Sequence, residues 1–321
     1  MERANQSIVL EFILLGFSDD PDLEVLLFII FFLAYMIAVL GNLLIILVIY
    51  FSHNLHTPMY FFLGNLSFLD IGSTSTTIPN MLVNILLEKK VISYLGCVVQ
   101  LYMFTWLCIT EMMLLTIMAY DRYAAICSPL TYRTVLNWRV CVQGASVMWA
   151  VGAVSAMAHT IATFRLSFCG PNRISHFFCE IPPVLMLSCS DTTLNEVMLI
   201  TTDIILGLLC FLFIIISYVF IVLAILKIRS TTGKQKAFAT CASHLTVVIL
   251  YYGTLFLTYV QPKSSSSPEQ RKVMSALYTV FIPMLNPIIY SMRNKEVKDA
   301  LKKIIQNRLY SCLLTFVRLP S

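Results

Sequence analysis

VLLFIIFFLAYMIAVLGNLLIILVIYF, residues Val25–Phe51, carries no charged side chain. A helix rises ~1.5 Å per residue, so ~20 apolar residues cross the ~30 Å hydrocarbon core of a bilayer. This run is long enough to do so. Six more uncharged or nearly uncharged runs lie at Pro58–Leu87, Leu95–Ala119, Val140–Thr163, Val197–Leu226, Ala237–Gln261 and Val273–Met292. The chain of 321 residues is 58% hydrophobic and 12% charged, with a mean hydropathy of +0.81. That leaves too little polar surface for a water-soluble fold. The expected fold class is an all-α membrane protein, a seven-transmembrane helix bundle forming one domain over residues 1–321.

Orientation follows from the basic residues. Most of the 22 Lys and Arg fall after runs one, three, five and seven, from Arg122, Arg133 and Arg139 to Lys298, Lys302 and Lys303. The opposite side carries Asp19, Asp20, Asp22, Glu180, Asp191 and Glu196. An excess of Lys/Arg marks the cytoplasmic face. Residues 1–24 are therefore an extracellular tail, and 293–321 a cytoplasmic tail with a short amphipathic helix after the seventh span. The net charge of +5 reports topology and does not indicate a nucleic-acid partner. Residues 1–22 lack a basic n-region followed by an unbroken apolar stretch, so the first membrane helix is expected to act as the insertion signal. Asn5-Gln6-Ser7 is a glycosylation sequon on the outer side, whereas Asn65-Leu66-Ser67 is inside the second run and out of reach.

The connections are short except for the outer stretch Thr163–Glu196, which is long enough to be functional or tied down. It holds Cys169, Cys179 and Cys189, and Cys97 stands at the outer end of run three. Four cysteines on the oxidising side form two bridges in any of three connectivities. The other six of the 10 cysteines lie in helices or inside, where small buried hydrophobes are the simpler reading.

Three carboxylates, Asp70, Glu111 and Asp203, stand within the apolar runs, an expensive placement that marks function. Counted from the cytoplasmic ends of their runs, Asp70 and Glu111 lie at ~18 Å and ~16 Å depth. Two acids at matched depth repel unless a proton or cation sits between them. Asn42 and Asn286 add neutral oxygens at the same level. The pair is thus either a Na⁺ site or a shared-proton link between helices; no other cofactor is expected. Cys241 and His244, three residues apart, offer only two ligands and do not make a metal site.

At the inner end of run three stands Met118-Ala119-Tyr120-Asp121-Arg122-Tyr123-Ala124-Ala125-Ile126-Cys127. An isolated Asp-Arg pair is an ordinary surface ion pair worth under ~1 kcal/mol. Here it accompanies Gly41-Asn42, Asp70, Ser217-Tyr218 and Asn286-Pro287-Ile288-Ile289-Tyr290, each in a separate run. A proline within an apolar helix frees a carbonyl and kinks the helix. The joint pattern resembles rhodopsin-like G-protein-coupled receptors over essentially the whole chain. PMYFFLGNLSFLD (58–70), MAYDRYAAIC (118–127), KAFATCASHL (236–245) and PMLNPIIYSMRN (283–294) are similar to the signatures of tetrapod-type (class II) odorant receptors. The departures, Ala124, Ala239 and Gly64, remove no charged or switching group.

The resemblance implies a multi-pass plasma-membrane receptor for small volatile organic molecules. It would activate a stimulatory, olfactory-type G protein and raise cAMP. It also implies bridges Cys97–Cys179 and Cys169–Cys189, and a latch in which Asp121 holds Arg122. Tyr218 and Tyr290 would swing inward on activation, beside Tyr123, Asn286 and Pro287. Lys236 and His244 would lie on the G-protein face, and Na⁺ at Asp70 and Glu111 would act allosterically. In that architecture the ligand pocket occupies the outer half of the bundle. Its expected lining is Phe104, Thr105, Cys108 and Ile109 in run three, Thr202, Asp203 and Leu206 in run five, Tyr252, Leu255, Phe256 and Tyr259 in run six, and Tyr278 and Thr279 in run seven. Such a lining suits an apolar ligand oriented by one or two hydrogen bonds.

Three rivals are weaker. A transporter would show inverted repeats with paired broken helices. An amine receptor would place a carboxylate where Phe104 stands, which leaves a non-olfactory receptor for another small ligand as the alternative within the superfamily. The scattered histidines offer no nucleophile–base pairing, so an enzyme is not expected.

Overall fold

The computed structural model describes residues 9–18, 20–87, 90–259, 268–293, 296–303 and 306. Asn5 lies outside them. Among the described residues, seven long helices build the bundle: helix one Pro21–Phe51, two Pro58–Leu86, three Tyr94–Cys127 and four Trp138–Phe164. Helix five runs through Thr193–Leu199, Ile200–Leu206 and Gly207–Lys227; helix six is Thr231–Tyr259; helix seven joins Pro268–Ala276, Leu277–Phe281 and Ile282–Arg293. Most helices outrun their apolar stretches because polar caps lie beyond the hydrocarbon. Asp20 accepts the Asp22 N–H ahead of Pro21, Ser93 accepts that of Gly96, and Asn137 that of Val140, each satisfying an orphan donor of a first turn. Residues 296–303 form the inner helix after the seventh span, held by Val297 in the core and by the Tyr60 hydroxyl donating to Glu296 at 2.7 Å.

Six of these helices are long and apolar enough to cross a membrane on length and composition. Helix two is the exception, for it carries Ser67, Asp70, Ser73, Thr74, Thr77 and Asn84 buried against its neighbours. Its hydroxyls return to their own helix: Thr74 donates to Asp70 O at 2.7 Å and Thr76 to Gly72 O at 2.7 Å. Such back-bonding satisfies these hydroxyls in an apolar medium. Helix one shows the opposite pattern. Phe31, Ala34, Ala38, Asn42, Ile45 and Val48 face inward at three- and four-residue steps, while Phe32, Leu40 and Leu44 face outward. Two glycines set helix spacings. A Cβ on Gly41 would stand 2.8 Å from Pro287 Cγ, and one on Gly152 only 2.3 Å from Thr110 Oγ1.

The outer end adds a small sheet to the helical bundle. The extracellular tail contains β1, Glu11–Leu14, paired antiparallel with β2, Val91–Ser93, and parallel with β3, Arg173–Ile174. Alternation explains it: Phe12 and Leu14 point inward at 0% and 1% exposure, and Glu11 points out. They meet Ile92, Leu101, Ile174 and Val184 in a small apolar cap. Two disulfides fasten the cap, Cys97–Cys179 and Cys169–Cys189. The first ties helix three to the long outer loop, which then turns through a short helix, Ile181–Leu185.

Candidate functional site: an outer cavity and an inner hydrogen-bond relay

Beneath that cap lies a cavity of about 670 Å³, within the usual range for a small-molecule site. Helix three contributes Phe104, Thr105, Cys108, Ile109 and Met112; helix six contributes Ile249, Tyr251, Tyr252, Gly253, Leu255 and Phe256. Helix five adds Leu199, Gly207, Leu208 and Phe211, helix seven Tyr278, and the loop Glu180, Ile181 and Pro182. Tyr251 crosses to helix three by donating to Cys108 O at 3.0 Å. Tyr278 donates to Glu180 Oε1 at 2.6 Å.

The expected residues of helix three, and Tyr252, Leu255 and Phe256 of helix six, line this cavity; Thr202 and Leu206 of helix five do not. Thr202 faces helix four, where its hydroxyl lies 3.0 Å from His159 Nε2 and donates to Met198 O at 2.6 Å. Leu206 packs on the inner core. The cause is a π-helical stretch, Ile200–Leu206, whose extra residue rotates the inward face away from a regular count. Thr279 is likewise turned away, donating to Ser275 O at 2.8 Å from another π-helical stretch, Leu277–Phe281. The side chains of Asp203 and Tyr259 lie outside the described residues. Glu180 was the readable omission: it follows Cys179, whose bridge fixes it over the bundle. Its neighbour His176, buried in the loop, is pulled to a pKa of about 3 by burial and then by Lys272 and Arg271.

At mid-membrane the Asn286 amide donates to both Asp70 oxygens, at 3.1 and 3.0 Å. Asn42 donates to Ala38 O and Pro283 O at 2.9 and 3.0 Å. The side-chain oxygens of Asn42 and Asn286 are buried with no hydrogen bond among the described residues. No group of three or more His, Cys, Asp or Glu fit for a metal occurs among them. Glu111 is buried at 6% exposure.

Asp121 accepts from Tyr132 at 2.7 Å, and the Arg122 guanidinium meets the Met59 sulfur. Among the described ion pairs, none joins Asp121 to Arg122. His244 is not on the surface: it is 0% exposed, and the side chain of Lys236 lies outside the described residues. His244 Nε2 sits 3.1 Å from Leu115 O, and Nδ1 2.8 Å from the Tyr218 hydroxyl. A carbonyl only accepts, so Nε2 carries the proton and Nδ1 accepts from Tyr218. Helices three, five and six are thereby joined in a relay. Tyr123 stacks edge-on against Phe220. The Tyr290 hydroxyl is buried without a hydrogen bond among the described residues.

A bundle of seven helices with an outer cavity and a buried inner relay defines a multi-pass membrane receptor. The olfactory receptor profile matches residues 31–308. The human olfactory receptor 5I1 is 48% identical over 96% of this chain and 98% of its own length. Human olfactory receptor 5G3 is 50% identical over 97% and 99%, and mouse olfactory receptor 5G25 48% over 96% and 97%. The chain belongs to the olfactory receptor family, whose members are multi-pass plasma-membrane receptors and not enzymes.

Proposed function

We propose that this receptor binds small volatile organic molecules in the cavity of about 670 Å³ between helices three, five, six and seven. The carrying observation is that cavity: it is lined chiefly by apolar and aromatic side chains and roofed by a loop tied through Cys97–Cys179. Occupancy is read at the inner end by a stimulatory, olfactory-type G protein, with a rise in cAMP. Helices three and six run from the cavity wall, where Tyr251 bonds Cys108 O, to the relay, where His244 faces Leu115 O. A ligand that favours a different spacing of these helices biases the relay by its differential affinity for the two arrangements. Opening an inner cleft for a G protein moves helix six from helix three and breaks the His244–Leu115 bond. Tyr218 and Arg122, buried beside the relay, are then released to face the partner. Asp70, with the buried oxygens of Asn42 and Asn286, supplies hard oxygen ligands suited to an allosteric Na⁺ near Glu111.

Gly253 provides the test. It lines the cavity, and a Cβ there would meet nothing within 4 Å, so Gly253→Leu adds a bulky side chain at the cavity wall where the structure has room for its Cβ. In cells with a cAMP reporter, responses to an odorant panel should vanish at unchanged surface expression. Intact potencies in the plugged receptor would place the odorant elsewhere.

A further inference from the structure

Among the described residues that line the cavity, Glu180 alone bears a formal charge. Its position is fixed from several sides. The preceding residue, Cys179, is bonded to Cys97, and its backbone N–H donates to Gln100 Oε1 at 2.8 Å. Gln100 in turn donates to Thr76 O on helix two at 2.9 Å. Beyond Glu180 the chain enters Ile181–Leu185, whose first turn is held by Pro182. The carboxylate is 6% exposed. Tyr278 donates to Oε1 at 2.6 Å, and Oε2 lies 3.6 Å from His176 Nε2. Groups placed on so rigid a platform discriminate between ligands because little ordering remains to be done on binding.

We infer that Glu180 selects the ligand, and that the cavity prefers alcohols and phenols, whose single hydroxyl donates to this carboxylate while the hydrocarbon fills the apolar remainder. The inference rests on the cavity being the odorant site. Two alternatives in the same space are disfavoured. An aldehyde, ketone or ether brings only acceptors and sets lone pair against lone pair. An ammonium brings donors but must shed its hydration in an apolar cavity, and it meets the field of Lys272 and Arg271. Burial first, and then these two cations, lower the pKa of adjacent His176, so their positive field reaches this part of the loop and opposes an incoming ammonium. A hydroxyl loses less on leaving water and gains a charge-assisted bond.

The experiment uses the full-length receptor, a cAMP reporter and matched sets of alcohol or phenol, methyl ether, aldehyde and amine on straight, branched and aromatic skeletons. On responding skeletons the hydroxyl compound should be about tenfold to hundredfold more potent than its methyl ether, the range for a hydrogen bond to a charged group. Glu180→Gln should close most of that gap by weakening the alcohol and sparing the ether. Equal potency of alcohol and ether, an equal loss of both in Glu180→Gln, or greatest potency for the amine would each overturn the inference. Tyr278→Phe covers the case in which Glu180→Gln does not reach the surface. It removes a competing donor from the carboxylate, so the gap should widen, and an unchanged or narrower gap counts against the inference. Gly253→Leu separates the two failures. If it silences every compound while alcohol and ether are equal, the cavity reading stands and Glu180 is not the selector.

Discussion

Removing one hydroxyl from the relay should switch the receptor partly on. Tyr218 is 8% exposed and His244 0%, and their rings are stacked at 5.8 Å and 8°. With Nε2 committed to Leu115 O, the Tyr218 hydroxyl is the donor that Nδ1 receives. Tyr218→Phe preserves the stack and leaves Nδ1 buried with no donor. A buried acceptor so stranded costs ~1–3 kcal/mol, and the cost falls only on the arrangement that holds helices three, five and six together. Since 1.4 kcal/mol is a factor of ten, the ratio of closed to open receptor should fall roughly fivefold to hundredfold. Basal cAMP at matched surface expression should rise, and odorant dose–response curves should shift to lower concentration. His244→Leu should raise basal cAMP as well, and the double variant should exceed neither single change by much, because both remove the same bond. Basal cAMP at or below that of the unaltered receptor, with surface levels equal, would refute a closed-state role for the relay.

The cap and bundle give further expectations. Cys179→Ser should abolish surface delivery, since a native disulfide contributes ~2–5 kcal/mol; surface immunostaining reads this directly. Gly152→Ala places a Cβ 2.3 Å from Thr110 Oγ1 and 3.2 Å from Trp106 O. It should destabilise by ~1–3 kcal/mol, and Thr110→Ala should recover only part, because the carbonyl remains; melting of the purified receptor measures both. His176 titrates at about 3 when folded against an ordinary value of 6.5. The folded state therefore binds fewer protons than the unfolded one between those values, and stability falls as pH drops through that window. The loss is ~1.4 kcal/mol per pH unit below 6.5, so His176→Gln should flatten the change in melting temperature between pH about 7 and about 5. For the ion, NaCl should raise the melting temperature above matched choline chloride, and Glu111→Gln should reduce the difference; identical curves in the two salts would favour a shared proton.

Regular helices were legible because an apolar run of membrane length admits few other structures. Helix two was readable from Pro58 and its motif despite its polarity, since the hydroxyls that lower its hydropathy bond back to its own carbonyls. The cavity was legible where helix periodicity is regular, as at Phe104, Thr105, Cys108 and Ile109. It failed at Thr202 and Leu206, where a π-helical stretch shifts the phase by a residue that no composition reveals. Glu180 was within reach, since it follows Cys179 and the family resemblance implies the Cys97–Cys179 bridge; cysteine spacing alone, which allows three pairings, would not have placed it. Asp121 and Arg122, neighbours in sequence, also contact other segments, at Tyr132 and Met59, which adjacency alone does not reveal. Strand β1 was not visible at all, being only four residues whose partners lie far along the chain.

That strand also has a consequence in time. Glu11 pairs with Ser93 and Ile13 with Arg173, so β1 is translated long before either neighbour. At ~5–20 residues per second, Phe12 and Leu14 wait on the lumenal side for roughly ten to thirty seconds before the loop bearing Arg173 is made. Throughout that interval two large apolar side chains and an open strand edge stand in water, inviting association with other nascent chains. The extracellular cap is thus completed late in biosynthesis, after helix four has been synthesised. Export of this receptor from the endoplasmic reticulum should accordingly depend on whatever shields its first strand until then.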